Sequence, residues 1–125
     1  MSAAPTLQQI EAPAVLVVDD DAALRHMLRL TLQDYGFKVR SAENGRDALE
    51  AVAEAVPDAV VLDLEMPVMD GRAFYRELRK RGIEVPVLIV SAYGARAAGR
   101  ELGAPAIDKP FNPDELIDAV RELLP

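Results

Sequence analysis

The chain has 125 residues, half of them hydrophobic, with 21 acidic and 14 basic side chains and a net charge of −7. This length fits one domain with a buried core, and the acidic balance argues against a nucleic-acid-binding surface, which is normally basic. The absence of cysteine excludes disulfides, thiolate metal sites and cysteine nucleophiles. No apolar run reaches the roughly 18 residues of a membrane helix, and no signal peptide is evident. We therefore expect a cytoplasmic protein with no membrane partner.

The chain begins with a segment that does not resemble the rest. Residues 1–13 contain two prolines and no sustained periodicity, which is typical of a loose N-terminal extension. A short helix could form within Thr6–Glu11. The regular pattern starts after this extension, and we expect one domain over residues 14–124.

Five segments are predicted to be strands. Three are short apolar runs rich in β-branched residues, Val15–Val18, Ala59–Leu62 and Val87–Val90. Runs without polar alternation suit strands that are buried on both faces, as in a parallel sheet. Two weaker strands are predicted at Phe37–Ser41 and Ala106–Asp108.

Helical periodicity separates these strands. The predicted helices cover Ala22–Asp34, Gly45–Ala55, Arg72–Arg81, Ala95–Leu102 and a last helix after Asn112. The last is the clearest, because Asn112 is a favourable N-cap and Pro113 suits the first helical position. Alternating strands and helices predict an α/β fold with helices on both faces of a parallel sheet.

In such a fold, polar groups at the carboxyl ends of the strands gather at one edge of the sheet. The groups that follow the predicted strands are Asp19, Asp20, Asp21, Asp63, Ser91 and Lys109. Clustered carboxylates fit Mg²⁺, which also binds phosphate, and a nearby lysine and hydroxyl could offset a phosphoryl charge. The pattern favours phosphoryl transfer to a carboxylate nucleophile. Each aspartate by itself is more often a turn or cap residue; the combination at four strand ends favours a site.

Four motifs carry a resemblance to a known family. They are VLVVDDD (Val15–Asp21), VVLDLEMPVMDG (Val60–Gly71), VLIVSAYG (Val87–Gly94) and DKPF (Asp108–Phe111). Together they resemble the receiver domains of bacterial response regulators, the CheY-like superfamily of two-component signalling. The resemblance covers about residues 14–124. It implies a doubly wound, flavodoxin-like sheet of five parallel strands in the order 2-1-3-4-5.

The resemblance also implies a phosphoacceptor and its metal. Asp63 would take the phosphoryl group from a sensor histidine kinase or a phosphotransfer protein. Asp20 and Asp63 would bind Mg²⁺ directly, together with the backbone carbonyl of Glu65. Asp19 would support the metal indirectly, through water. The protein would then promote its own phosphorylation and dephosphorylation and would have no turnover substrate as an enzyme does.

Further residues have roles implied by the same resemblance. Lys109 would pair with the phosphoryl group, and the Lys109–Pro110 bond would be a cis peptide. Ser91 would bind a phosphoryl oxygen and act as the switch hydroxyl, altering a surface that an unknown downstream protein reads. Asp21 matches no ligand and is expected to cap the first helix.

The sequence departs from the family at its output side. Ala106 stands where most receivers carry Tyr or Phe, and the fourth helix is short by about one turn and contains Gly99, which weakens a helix by about 1 kcal/mol relative to alanine. We therefore hypothesise that movement of the loop Ser91–Arg100 is the switch. Glu65 and Tyr93 occupy positions that tune hydrolysis in the family, and a bulky Tyr93 predicts slow self-dephosphorylation.

Two other functions remain open from the sequence. One is a degenerate receiver that acts as a phosphate-independent interaction module, which Ala106 and the short fourth helix favour. The other is an aspartyl-phosphate phosphatase, although that class normally has a second aspartate at the position of Glu65. A P-loop nucleotidase is disfavoured, because no G-x-x-x-x-G-K-[ST] motif is present. The sequence does not decide between a stand-alone receiver and part of a longer regulator.

Overall fold

The computed structural model describes residues 12–125, in which strands and helices alternate. The strands are β1 (Ala14–Val18), β2 (Lys38–Ala42), β3 (Ala59–Asp63), β4 (Val87–Ser91) and β5 (Ala106–Asp108). The helices are α1 (Ala22–Asp34), α2 (Gly45–Glu54), α3 (Gly71–Lys80), α4 (Ala95–Leu102) and α5 (Pro113–Leu123). The short helix suggested for Thr6–Glu11 lies outside the described residues.

The predicted elements agree with these bounds to within one residue at each end. For β2 the shift has a clear cause. The N–H of Phe37 still donates to the Leu32 carbonyl at the end of α1, at 3.1 Å, whereas the N–H of Lys38 donates to the Pro13 carbonyl at 2.9 Å. Sheet pairing therefore begins at Lys38 and not at Phe37.

The five strands form one parallel sheet in the order β2-β1-β3-β4-β5, which confirms the predicted fold. Side chains of α2, α3 and α4 pack on one face, and those of α1 and α5 pack on the other. Within β1, Leu16 and Val18 join the first layer while Val15 and Val17 join the second, because successive side chains of a strand point to opposite faces. Burial on both faces explains the continuous apolar run.

Four of the five helices begin with a side-chain cap. Asp21, Asn44, Asp70 and Asn112 each accept hydrogen bonds from backbone N–H groups two or three residues further on, a contact that stabilises a helix by about 1 kcal/mol. The caps predicted at Asp21 and Asn112 are thus confirmed. Helix α4 differs, because it follows Gly94, which has a φ of 66° and provides no side-chain cap. With eight residues, α4 is also the shortest helix in the described part of the chain.

A glycine in the middle of α4 lets this helix lie directly on β5. A Cβ atom at Gly99 would be 2.6 Å from the carbonyl oxygen of Ala104 and 3.0 Å from the Cβ atom of Ala106. The Gly99 carbonyl accepts a hydrogen bond from the Ala104 N–H at 2.9 Å. The glycine that weakens α4 as a helix is therefore also the residue that permits its close packing.

Candidate functional site

The sheet brings the predicted site residues to one edge. Asp19 follows β1, Asp63 ends β3, Ser91 ends β4 and Lys109 follows β5. These strands are parallel neighbours, so their carboxyl ends meet. The N–H of Lys109 donates to the Ser91 carbonyl at 3.0 Å, which extends the pairing of β4 and β5 to the lysine.

A lysine links two buried carboxylates at this edge. The Nζ atom of Lys109 lies 2.9 Å from Oδ2 of Asp19 and 3.4 Å from Oδ1 of Asp63. Asp19 is 2% exposed and Asp63 is 6% exposed. Buried carboxylates need charged or hydrogen-bonding partners, and Lys109 provides one to both.

The environment of Asp63 makes its charge costly. Burial raises the pKa of Asp63, and the negative charges of Asp19 and, to a smaller extent, Asp20 raise it further. The charge and hydrogen bond of Lys109 lower it, but the balance leaves the pKa of Asp63 at about 6, above its usual 3.8. Asp63 is therefore ionised at neutral pH, but its negative charge is only partly compensated.

The same contacts keep the lysine protonated. Burial would lower the pKa of Lys109, but the hydrogen bond and charge of Asp19 and the charge of Asp63 outweigh this effect and raise it. Lys109 therefore remains a cation at neutral pH. A fixed ammonium beside a buried carboxylate suits the binding of an incoming anion.

Three carboxylates are close enough to hold one cation. Asp19, Asp20 and Asp63 each offer an oxygen atom, and these atoms lie within 4.8 Å of one another. Asp20 is the exposed member. An all-oxygen set with excess negative charge fits Mg²⁺, which takes one or two carboxylates together with water and phosphate oxygens. The residues present therefore fit the predicted divalent cation.

Asp19 is already engaged by the protein through both carboxylate oxygens. Its Oδ1 accepts a hydrogen bond from the Asp21 N–H at 2.9 Å, and its Oδ2 accepts one from Lys109. These contacts suit the indirect role predicted for Asp19, which stays a prediction.

The hydroxyl of Ser91 is turned toward its own loop. Ser91 is 1% exposed, and its Oγ donates to the Tyr93 carbonyl at 3.1 Å and accepts from the Tyr93 N–H at 3.2 Å. The loop that leads into α4 is thus fastened to the end of β4 by these two bonds. Any group that binds the Ser91 hydroxyl must compete with them.

The residues predicted to tune the reaction lie around this centre. Tyr93 is 75% exposed, and Glu65 is also exposed. Ala106 is partly buried and packs against the layer that includes α4. The Lys109–Pro110 peptide is cis, as predicted. The tuning roles of Tyr93 and Glu65 stay predictions.

One neighbour of the site, Arg25, was not predicted from the sequence. A guanidinium nitrogen of Arg25 donates to the backbone carbonyl of Asp19 at 2.8 Å. This bond ties the first turn of α1 to the end of β1. The position of Arg25 one turn after the cap residue Asp21 gave only a weak indication of this contact.

Comparison with known proteins identifies the family. Residues 15–121 match the family described as the response regulator receiver domain. The chain is a response regulator receiver domain. The response regulator MprA of Mycolicibacterium vanbaalenii is 44% identical over 114 residues, covering 88% of this chain and 49% of the relative. That of Mycobacterium leprae is 43% identical, covering 88% and 50%. This receiver domain thus spans about half the length of these curated relatives.

Solved structures of other receivers share its fold. The receiver domain of the Francisella response regulator 1452 is 34% identical, with a TM-score of 0.83 and coverage of 89% of this chain and 95% of that one. The chemotaxis protein CheY4 of Vibrio cholerae is 33% identical, with a TM-score of 0.82 and coverage of 91% and 100%. The receiver domain is therefore of a type that occurs in two-component signalling. Among the described residues, no helix has the length and apolar character needed to cross a membrane.

Proposed function

We propose that this receiver domain accepts a phosphoryl group on Asp63 and thereby changes the surface formed by the Ser91 loop and α4. One observation carries the proposal: Lys109 Nζ lies 3.4 Å from Asp63 Oδ1 while it is held by Asp19 at 2.9 Å. A cation fixed there can neutralise part of the charge of a phosphoryl group arriving at Asp63.

The proposed donor is the phosphohistidine of a sensor histidine kinase or phosphotransfer protein. One carboxylate oxygen of Asp63 attacks the phosphorus atom, the new P–O bond forms, and the P–N bond to the donor imidazole breaks, with its electron pair leaving on the imidazole. The partly uncompensated charge of Asp63 supports this role, because a carboxylate that is poorly stabilised as an anion is a better nucleophile. The cytoplasm is the compartment in which this proposal places the exchange.

A divalent cation belongs to the same proposal. When bound, Mg²⁺ would offset the repulsion between the site carboxylates and the incoming phosphoryl oxygens. The side chains of Asp20 and Asp63 and the backbone carbonyl of Glu65 would hold it, with Asp19 contributing through water. The separation of at most 4.8 Å between the carboxylate oxygens supports this assignment.

The proposed switch starts at Ser91. A phosphoryl oxygen that accepts the Ser91 hydroxyl would take it from the Tyr93 carbonyl, its partner in the structure. The loop into α4 would then lose one of its two hydrogen bonds to Ser91. Helix α4 has no side-chain cap to stabilise its first turn. This supports the predicted segment Ser91–Arg100, which comprises the loop after β4 and most of α4, as the part that moves. The idea fails if a Ser91→Ala protein shows the same change of amide exchange in this loop on phosphorylation as the wild type.

We propose that the domain is a phosphoacceptor that controls its own phosphorylation and dephosphorylation, and not an enzyme with a turnover substrate. The rival function is a phosphate-independent interaction module. It is favoured by Ala106, which leaves no aromatic ring to follow the switch hydroxyl, and by the direct packing of α4 on β5. A measurement of phosphoryl uptake by the domain separates the two functions.

The test is intact-mass measurement after incubation with Mg²⁺ and acetyl phosphate, beside an Asp63→Asn control. We expect the mass of one phosphoryl group to be gained, and the gain to be lost in Asp63→Asn and in the presence of a chelator. The rate at which the added mass disappears then tests the slow dephosphorylation predicted from Tyr93. No gain, either from acetyl phosphate or from a phosphorylated histidine phosphotransfer domain, would favour the interaction module.

A further inference from the structure

The loop that joins Asp63 to α3 contains a strained turn. Val68 has a φ of 69°, a left-handed conformation, and the N–H of Met69 donates to the carbonyl of Pro67 at 2.8 Å across it. Positive φ is unfavourable for a β-branched residue. Such a conformation persists only where the surrounding structure holds it in place.

One end of the loop is closed by its own backbone. The N–H of Gly71, the first residue of α3, donates to the carbonyl of Leu64 at 2.8 Å. This bond fixes where the loop leaves the sheet and where it re-enters a helix. It does not hold the strained turn itself, which lies between these two points.

The turn is held by the start of α2. The N–H of Gly45 donates to the carbonyl of Met69 at 2.9 Å. Gly45 is the first residue of α2, so its N–H has no partner inside the helix and is available for this bond. The preceding residue, Asn44, is 6% exposed and caps α2 by accepting from the Asp47 N–H at 2.8 Å. The donor is thus supplied by a rigid element.

The contact leaves no space for a side chain at Gly45. A Cβ atom there would lie 2.7 Å from Cγ of Met69 and 2.8 Å from the Met69 carbonyl oxygen. Real Cβ atoms do not approach other atoms so closely, so either α2 or the loop would have to move. Since α2 is packed into the core through Ala48, Leu49 and Val52, the loop is the part expected to yield.

We infer that Gly45 is a positioning residue for the phosphorylation site, acting on it through the Met69 turn. The loop follows Asp63 and includes Glu65, so its placement sets the direction of the Glu65 carbonyl relative to the three carboxylates. This inference rests on the proposed function, because it assigns Gly45 a role in holding the proposed Mg²⁺ ligands. Groups that orient metal ligands in this way typically change metal affinity by 10–100-fold when they are lost.

The test is the Mg²⁺ affinity of Gly45→Ala, measured by titration with MgCl₂ and amide chemical shifts. We expect the dissociation constant to rise about tenfold. The matched control is Gly82→Ala, which follows α3 and has a φ of 76°, with no neighbouring atom within 4 Å of the place that a Cβ atom would take. This variant should lose stability through its backbone conformation and keep the wild-type Mg²⁺ affinity, so a general loss of stability does not mimic the expected result.

The specific contact is tested by a second substitution. In Gly45→Ala/Met69→Ala the Cγ atom that blocks the new Cβ is removed, so we expect the Mg²⁺ affinity to recover in part relative to Gly45→Ala. If the effects of the two substitutions on Mg²⁺ affinity simply add, the inference is overturned, because substitutions of residues in direct contact should be energetically coupled. A measurement on the wild type needs no variant: hydrogen exchange of the Gly45 amide should slow when Mg²⁺ binds, and unchanged exchange at saturating Mg²⁺ would contradict the inference.

These outcomes separate the inference from the proposed function. If the wild type binds Mg²⁺ but takes no phosphoryl group onto Asp63, the proposed function fails. The role of Gly45 is then decided separately by the Mg²⁺ titration of Gly45→Ala. If phosphorylation succeeds and Gly45→Ala has the wild-type Mg²⁺ affinity, the inference alone is wrong. A wild-type protein that does not bind Mg²⁺ overturns both.

Discussion

Helices α4 and α5 pack on opposite faces of the sheet near its β5 edge, and they are held there by different contacts. Helix α5 begins with the Asn112 cap, which accepts from the Glu115 N–H at 2.8 Å, and buries a leucine, an isoleucine and a valine. Helix α4 begins after Gly94 without a side-chain cap and buries two alanines and a glycine. Leu102 adds a partly buried side chain to this packing, and exposed ion pairs link α4 to α3 and β5.

The comparison indicates which helix can respond to the site. Burial of a large apolar side chain contributes about 1.5–3 kcal/mol. Helix α5 is therefore held by fully buried large side chains, which α4 does not have. Segments that move in signalling come from the less stable parts of a fold. Because α4 starts four residues after Ser91 while being weakly held, it is the helix that we expect to change when the Ser91 loop is altered.

The largest effect is expected from filling the contact between α4 and β5. Gly99→Ala should lower the free energy of unfolding by about 2 kcal/mol, since overpacking at 2.6 Å from the Ala104 carbonyl outweighs the gain in helix propensity. Chemical denaturation measures this. The control is Ala97→Gly on the exposed side of α4, which should cost at most about 1 kcal/mol. A Gly99→Ala protein that is more stable than the wild type would mean that α4 is not held close to β5.

This contact also marks where prediction from sequence ended. The strand order was predictable only through the family resemblance. The caps at Asp21 and Asn112 and the position of Asp63 and Lys109 at strand ends were predictable from the residues themselves, because buried runs, cap residues and strand ends have local signatures. Gly99 was seen only as a weak point in a helix. Its packing partners belong to β5, and nothing local in the sequence indicates a contact made by the fold.

The hydrogen bonds within the site were unpredictable for a related reason. Lys109 and Asp19 are 90 positions apart in the sequence. The parallel sheet places them close together, but it does not determine which carboxylate forms the shorter contact with the ammonium group. Likewise Val68 carries a β-branched side chain, which disfavours positive φ, so the strained turn contradicts local propensity. Such conflicts between local preference and tertiary structure are expected at functional sites.

A smaller change in stability is expected from removing the negative charge of Asp63, which its buried environment destabilises. Asp63 has a pKa of about 6 when folded against 3.8 usually. The native state therefore binds this proton more tightly than the unfolded state does, and stability is lost as pH rises from about 4 through 6. Without Mg²⁺, Asp63→Asn should be about 1–2 kcal/mol more stable than the wild type above pH 6, after allowance for solvent screening.

Thermal melts with a chelator at a series of pH values test this expectation. The difference between Asp63→Asn and the wild type should vanish near pH 4 and shrink when Mg²⁺ replaces the chelator. Asp118→Asn, an exposed position on α5, changes the net charge equally and should give no comparable pH-dependent gain. A pH-independent difference would show that the charge of Asp63 does not destabilise the folded state.

Removal of the α5 cap should lower the stability by less than the two changes above, and its local effect should be confined to α5. Asn112→Ala removes the acceptor of the Glu115 N–H and should cost about 1 kcal/mol. Amide exchange should become faster in the first turn of α5 and stay unchanged in α4. If amide exchange in α4 also became faster, the two helices would be coupled through the sheet, and the difference between them would not hold.

The smallest effect is expected from the ion pairs that join α4 to α3. Glu101 accepts hydrogen bonds from Arg72 at 2.6 Å and from Arg76 at 3.0 Å, on the exposed surface. Because exposed pairs are screened by solvent, Glu101→Gln should change stability by only a few tenths of a kcal/mol, and less in high salt. Its effect should be visible instead as faster amide exchange in α4.

The matched control is Glu77→Gln, which removes a surface pair with Arg81 within the α3 region at 3.1 Å and the same unit of charge. It should leave exchange in α4 unchanged. If both variants leave α4 unaffected, the helix is held chiefly by the Gly99 contact, and a signal from Ser91 must lift α4 off β5 to move it. If only Glu101→Gln makes amide exchange in α4 faster, the ion pairs with α3 help to hold α4 in place. Because salt weakens exposed ion pairs, a higher salt concentration should then make α4 move more easily.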